Sequence, residues 1–265
     1  MHPIAFEVGP FSVRWYGVMV AVAFVVGIWS ASRRATQVGI TGEKVVDLSP
    51  WLLIGAIVGA RCFYVVGHWQ EHFSKQPFGE IFMIHHGGLV FYGGLVGASL
   101  GCILYASLKG IPLWDLADVL APSIPLGSAI GRIGCLMNGC CFGKACDLPW
   151  AIRFPKEHET SGIPVHPTQV YDALLNFFLF IFLRWLFRRR KFKGGVFAAY
   201  LLCYPILRSL AELFRGDYQR KILCDVVTPA HIVSVPIFLA GILLFFALKR
   251  KAPRVISDQA VESDE

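Results

Sequence analysis

Four groups of residues in this 265-residue chain have the types and spacing for work on an anion in an apolar setting. The first is Gly131-Arg132-Ile133-Gly134-Cys135-Leu136-Met137-Asn138-Gly139-Cys140-Cys141-Phe142-Gly143. Its glycines let backbone approach a ligand closely and offer N–H donors to an anion. Arg132 adds a permanent cation whose planar fork fits a phosphate. The plainer alternative is a set of helix-packing glycines with an arginine reaching toward the membrane surface. The second group is Tyr204, Arg208 and Glu212, spaced four apart and so on one face of a helix. Arg208 and Glu212 either form an internal ion pair that holds helices together or face a cavity. A charge near the bilayer centre costs roughly 2.5–3.5 kcal/mol on insertion scales, which favours a partner or a cavity. Arg215 and Asp217 follow and extend the same group.

The third group is His85 and His86 ahead of Gly87-Gly88-Leu89-Val90-Phe91-Tyr92-Gly93-Gly94. Adjacent histidines point apart on a helix, and no cysteine or carboxylate stands at a useful spacing, so metal binding is not expected there. The fourth is His166-Pro167-Thr168-Gln169-Val170-Tyr171-Asp172. Pro167 suits a helix start, with Thr168 or Asp172 as a cap. His166 is the one strong proton carrier in that segment near neutral pH. Of the eight cysteines, Cys135, Cys140, Cys141 and Cys146 fall close together and Cys224 lies in the last loop. Their spacing is poor for zinc. An oxidising compartment would permit disulfides, whose pairing is not legible, and free thiols stay open.

The elements that must position these groups are apolar. Hydrophobic residues make up 55% of the chain and charged residues 16%, against about a quarter charged in a soluble domain. About 20 apolar residues cross the hydrocarbon core as a helix. Seven stretches qualify: 15–31, 51–67, 89–108, 114–130, 170–187, 194–213 and 232–248. The expected fold class is therefore all-α: a polytopic integral membrane protein of about seven transmembrane helices, with two outward-facing loop segments at 68–86 and 132–167. No basic region or small-residue cleavage site precedes the first stretch, so it is expected to be a permanent span. Residues 1–254 are expected to form one transmembrane domain and 255–265 a polar cytoplasmic tail.

The net charge of +7 does not point to nucleic acid. The basic residues sit at the ends of apolar runs, as in a protein oriented by charge, and suit a bilayer with anionic lipids. Arg33, Arg34, Lys44, Lys109, the cluster 188–193 and Lys249–Lys251 form the denser set. That places the N-terminus outside and the C-terminus in the cytoplasm. No internal repeat stands out, which argues against an inverted-repeat transporter.

Together these groups resemble the prolipoprotein diacylglyceryl transferases, bacterial enzymes that begin lipoprotein maturation. The resemblance runs from Arg14-Trp15-Tyr16-Gly17 to the last span. Gly131-Arg132-Ile133-Gly134 with Asn138-Gly139 and Gly143 is its most specific part. It is supported in order by 55–64, 87–97, Asp118 with Ala121-Pro122, His166–Tyr171 and Tyr204–Arg215. The resemblance implies transfer of the sn-1,2-diacylglyceryl group from phosphatidylglycerol to the lipobox cysteine thiol of a prolipoprotein. Glycerol phosphate is released and a thioether is made in the bacterial inner membrane, with no metal and no organic cofactor. The implied partners are phosphatidylglycerol, prolipoprotein signal peptides and the lipid bilayer.

By the same resemblance Arg132 binds phosphatidylglycerol, Arg208 is a second essential arginine, and Tyr16 and Tyr204 are functional tyrosines. Asn138, Gly143 and Glu212 fall on motif positions and are expected to contribute to substrate binding, as is Arg61, for which a structural or snorkelling role is the alternative; Tyr92 and His166 are expected in the catalytic set. Two departures stand out. Tyr92 occupies the place of a family histidine, and a tyrosine of pKa near 10 is a poor base, so the proton would pass to His85, His86, His166 or the leaving phosphate. Cys135 stands where the family often has Asn, and Cys140 replaces a polar residue. The alternative function is a protein that binds or moves an anionic lipid without chemistry.

Overall fold

The computed structural model describes residues 4–8, 11–74, 78–83, 87–217 and 228–251. The expectations for His85, His86, Cys224 and the tail 255–265 fall outside these residues. The elements in order are a hairpin of β1 (Ile4–Val8) and β2 (Phe11–Arg14), then α1 (Trp15–Ala35), α2 (Gly42–Gly67) and α3 (Phe91–Leu108). They continue with α4 (Leu113–Leu120), α5 (Ser123–Asn138), the short strands β3 (Ile152–Arg153) and β4 (Pro164–Val165), α6 (Thr168–Arg188), α7 (Gly195–Glu212) and α8 (Pro229–Lys251).

The chain is helical, and six stretches are long and apolar enough to cross a membrane: Trp15–Val38, Gly42–Gly67, Phe91–Leu108, Leu113–Asn138, Thr168–Arg188 and Ala230–Lys251. They coincide with six of the seven expected spans. The remaining one corresponds to α7, whose 18 residues include Arg208 and Glu212, and those charges lower its apolar character. Large apolar side chains such as Val66 and Phe91 (each 78% exposed) and Leu243 (71%) stand on helix surfaces, where hydrocarbon rather than water suits them. The expected span at 114–130 is two helices, α4 and α5, separated at Ala121-Pro122. Pro122 sits at the N-cap of α5, where its missing N–H costs nothing. Because α5 continues to Asn138, Arg132 lies inside a helix rather than just past one.

Two compact units divide the chain: Val26–Val119, and Met1–Val25 with Leu120–Glu265. In the unit Val26–Val119, α2 packs on α3 through glycines four apart, Gly55 and Gly59 against Gly93 and Gly97. A Cβ on Gly59 would lie 2.8 Å from the Gly97 Cα, so the crossing admits no side chain. Two arginines are consumed as structural donors. Arg34 gives Nε and Nη2 to the Val119 carbonyl (3.2 and 3.1 Å) and Nη1 to Ser30 (2.6 Å), closing the C-terminal end of α4. Buried Arg61 makes five hydrogen bonds to backbone carbonyls: Nε to Ile81 (2.8 Å), Nη1 to Gly87 (2.7 Å) and Gly88 (3.2 Å), Nη2 to Glu80 (2.7 Å) and Met83 (3.3 Å). Its guanidinium also lies 5.5 Å from the ring centres of Tyr64 and Phe73.

In the other unit, α5 packs on α6, α6 on α7 and α7 on α8. The first half of α1 lies against α5 at Gly134, where a Cβ would come within 2.9 Å of Met19 Cβ and 3.3 Å of Tyr16 Cα. The segment after α5 is stitched to the ends of α6 and α7. Gly143 donates to His166 O (3.0 Å), Lys144 to Phe214 O (2.9 Å) and Gly216 to Phe142 O (3.1 Å).

Two outcomes follow from the unit Val26–Val119. Gly59→Leu should lower stability by about 1–3 kcal/mol through overpacking, read as a lower thermal midpoint in detergent. Arg61→Lys keeps the charge but loses most of the five carbonyl bonds. Amide exchange at 80–83 and 87–89 should then accelerate by at least about tenfold, whereas an unchanged rate would contradict the anchoring role.

Candidate functional site

Eight of the ten candidate residues lie in one unit: Tyr16, Arg132, Asn138, Gly143, His166, Tyr204, Arg208 and Glu212. Tyr92 and Arg61 belong to the other. Tyr92 is the second residue of α3, 48% exposed, with its ring edge-on to Phe91. Arg61 is spent on carbonyls, so it positions backbone rather than offering donors.

Arg132 pairs across the helix interface with Asp172 of α6, Nε to Oδ2 at 2.8 Å. The other carboxylate oxygen, Oδ1, accepts from Asn176 Nδ2 at 2.9 Å. Asp172 therefore fixes Arg132 through a single N–H. Among the described residues, Arg132 Nη1 and Nη2 make no further hydrogen bond or ion pair. The fork that suits a phosphate is thus held in place but not used up. Beside it α5 and α6 enclose a groove of about 370 Å³. Arg132 and Gln169 stand in its wall, and the rest of the wall is apolar, including Leu126, Ile130, Leu136 and Phe177. A guanidinium at the side of an apolar groove matches an amphiphile with an anionic head.

Arg208 lies one turn before Glu212 on α7, Nη1 to Oε2 at 2.6 Å, with side chains 12% and 0% exposed. Arg215 Nη1 approaches the same oxygen at 3.7 Å. Arg215 is held in turn by both oxygens of Asp217, at 3.0 and 2.8 Å. One carboxylate thus keeps two guanidinium groups side by side. The Arg208–Glu212 contact is close without hydrogen-bond alignment, so Arg208 Nη1 and both Glu212 oxygens are buried and unsatisfied in that sense. Incomplete satisfaction of buried polar groups is uncommon and concentrates at working sites. Tyr204 stacks on Tyr200 one turn earlier (5.4 Å between ring centres).

Gly143 lies where three segments meet. A Cβ there would come 2.5 Å from His166 Cβ and 2.8 Å from the Phe214 carbonyl oxygen, and Gly143 bridges to Arg215. His166 contacts Phe214, and its Nδ1 lies 3.3 Å from the Tyr171 hydroxyl. That hydroxyl accepts from Trp150 Nε1 at 2.7 Å. Asn138 ends α5, and Gly139, with φ 76°, turns the chain. Instead of capping their helix, Thr168 and Asp172 reach other segments. Thr168 Oγ1 donates to Cys141 O (2.6 Å) and Gln169 Nε2 to Cys140 O (2.7 Å).

These bonds hold three cysteines together. The sulfur atoms of Cys135, Cys140 and Cys141 lie within 4.8 Å of one another, although their spacing had seemed unsuited to a shared ligand. The described cysteines are all free thiols, so the disulfides considered from composition are not formed among them. The Cys141 thiol is pulled well below its ordinary range by hydrogen bonds from Cys135 and Cys140 and by the charges of Arg215 and Arg132, against the opposing effect of burial. Tyr16 also lies within electrostatic reach of the three thiols and Arg132. The sequence signal for Arg132's partner was Asp172 itself, a carboxylate within an apolar span, but periodicity does not say which helix it faces. Gln169 and the thiol cluster carried no comparable signal.

Comparison with known proteins identifies the family. The family model described as prolipoprotein diacylglyceryl transferase matches residues 3–247 and runs through both units. The chain is similar to proteins named phosphatidylglycerol–prolipoprotein diacylglyceryl transferase. It is 37% identical to the one from Synechococcus elongatus, covering 96% of this chain and 91% of that protein. The one from Aeromonas salmonicida is also 37% identical, over 95% and 91%. The one from Finegoldia magna is 33% identical over the whole of both. With an anion fork beside an apolar groove and a family match across nearly its entire length, the chain belongs to the prolipoprotein diacylglyceryl transferase family.

Proposed function

We propose that this chain transfers the diacylglyceryl group of phosphatidylglycerol to the lipobox cysteine thiol of prolipoproteins, the first step of lipoprotein maturation. The observation that carries this reading is Arg132, held by Asp172 through Nε alone, with its Nη pair unengaged among the described residues beside the apolar groove of α5 and α6. The headgroup phosphate meets the Arg132 fork and an acyl chain lies in the groove. Arg208 and Arg215, kept adjacent by Glu212, stabilise charge on the departing phosphate. Tyr16 and Tyr204 shape the pocket, and Asn138 and Gly143 set the backbone around it.

In the reaction the acceptor thiolate attacks the glyceryl carbon that bears the phosphate. The C–O bond breaks, its electron pair leaves with glycerol phosphate, and a C–S bond forms. Holding the two reactants in line supplies much of the rate. His166 is the candidate proton carrier among the described site residues of its unit. The protein works in the bacterial inner membrane with its N-terminus outside and its C-terminus in the cytoplasm. The clusters at 188–193 and Lys249–Lys251 support that orientation.

Purified protein given labelled phosphatidylglycerol and a lipobox peptide should yield a thioether-linked diacylglyceryl peptide. A folded preparation that yields none would overturn the assignment, and lipid binding or flux without that product would favour the non-catalytic alternative. Arg132→Lys, which keeps charge but loses the fork, should lower kcat/KM by about 100-fold, a typical effect of removing one oriented donor. Asp172→Asn should reduce transfer and also destabilise the fold by about 1–3 kcal/mol. That is below the effect for a fully buried pair because the Arg132 side chain is 19% exposed. Thermal unfolding and transfer rate, measured on the same sample, check both effects.

A further inference from the structure

The three-cysteine cluster is built rather than incidental. Cys135 is buried in the last turn of α5, and Cys140 and Cys141 lie just beyond it, partly open. Cys141 has φ 62°, in the left-handed region that a non-glycine residue adopts at a cost. The turn is clamped from α6, since Thr168 holds the carbonyl of Cys141 and Gln169 that of Cys140. The sulfur atoms consequently converge to within 4.8 Å of one another. Around a tetrahedral zinc with Zn–S near 2.3 Å, sulfur atoms stand roughly 3.8 Å apart, so a closure of about 1 Å or less completes a ligand set. The charges of Arg132 and Arg215 act on the Cys141 sulfur. Three protein ligands and one open position is the coordination pattern of a catalytic rather than a structural zinc.

We propose that Cys135, Cys140 and Cys141 form a three-thiolate site for Zn2+, whose open fourth position takes the thiol of the acceptor cysteine. The identity of that fourth ligand rests on the function proposed above. A free thiol of pKa about 8.5 is mostly protonated near pH 7, whereas coordination to a cation deprotonates it outright. The acceptor S–H releases its proton to water and its sulfur binds zinc. A sulfur lone pair then forms the bond to the glyceryl carbon as the C–O bond breaks, and the phosphate leaves with that electron pair. The zinc stays divalent throughout. The product thioether carries no charge, binds zinc weakly and departs. Tyr16, Arg132 and Arg215 lie within electrostatic reach of the cluster.

The test uses full-length protein in detergent, reduced, freed of reductant and titrated anaerobically with Co2+ as the spectroscopic probe. One Co2+ per chain should give a thiolate-to-cobalt charge-transfer band and tetrahedral d–d bands, and Zn2+ should displace it. Cys140→Ser should weaken binding by more than about tenfold, and Cys62→Ser should not. If Cys140→Ser fails to fold, Zn2+ protection of Cys135, Cys140 and Cys141 from alkylation in the unmodified protein, read by mass spectrometry, serves instead. A lipobox peptide should shift the d–d bands, and its Cys→Ser counterpart should leave them unchanged. Absence of the charge-transfer band from fully reduced protein, or alkylation unaffected by Zn2+, would overturn the metal site. Bands indifferent to the peptide thiol would overturn the fourth-ligand assignment. These spectra require no lipid and no turnover. A cobalt site without diacylglyceryl transfer therefore refutes the proposed function alone, and transfer by a chain that binds no cobalt refutes the site alone.

Discussion

A guanidinium inside a membrane protein cannot escape its cost by losing its proton, so its N–H groups must find acceptors or remain expensive. The arginines of this chain sort by how completely they meet that demand. Arg61 gives five hydrogen bonds to carbonyls, and Arg34 closes the end of α4. Both act as backbone ligands. Arg132 meets its carboxylate through Nε alone, and Arg208 touches Glu212 closely but out of alignment. The Arg132 Nη donors, beside the apolar groove of α5 and α6, are what an anionic lipid would satisfy.

That demand also shapes the scaffold. Asp172 on α6 and Glu212 on α7 are almost fully buried, and each is tolerable only because an arginine stands against it. The Arg132–Asp172 pair ties α5 to α6, whereas the Arg208–Glu212–Arg215 set orders the end of α7. The segment after α5 then closes over both ends by backbone bonds through Gly143 and Gly216, at contacts that leave no room for a Cβ. Close helix packing through Gly59 and Gly97 serves the other unit in the same way. In lipid, where burying apolar surface adds little, backbone proximity and polar pairing carry most of the association.

The proposed zinc site would change how the acceptor thiol is activated without changing the frame around it. The His166 Nδ1 is engaged near Tyr171. Three converging sulfur atoms with zinc bound between them would offer another way to keep a thiol deprotonated. Under the proposed function the cations of Arg132 and Arg215, which act on the Cys141 sulfur, would also act on the leaving phosphate, which would bring the electrostatic requirements of nucleophile and leaving group into one place.

Much of this was legible from the chain alone. Six spans followed from apolar length, because about 20 residues at 1.5 Å each must cover the hydrocarbon core. The facing of Arg208 and Glu212 followed from their spacing of four, because a helix turns every 3.6 residues. The motif around Arg132 marked the family. What the sequence could not decide were relations between segments. That α5 runs through Arg132 to Asn138, that Arg132 meets Asp172 on another helix, and that Arg61 faces carbonyls 19 to 27 residues away all depend on how helices pack. The convergence of Cys135, Cys140 and Cys141 likewise required a left-handed turn held from α6 by Thr168 and Gln169. Local periodicity reports which face a residue occupies, and only tertiary packing reports what stands opposite that face.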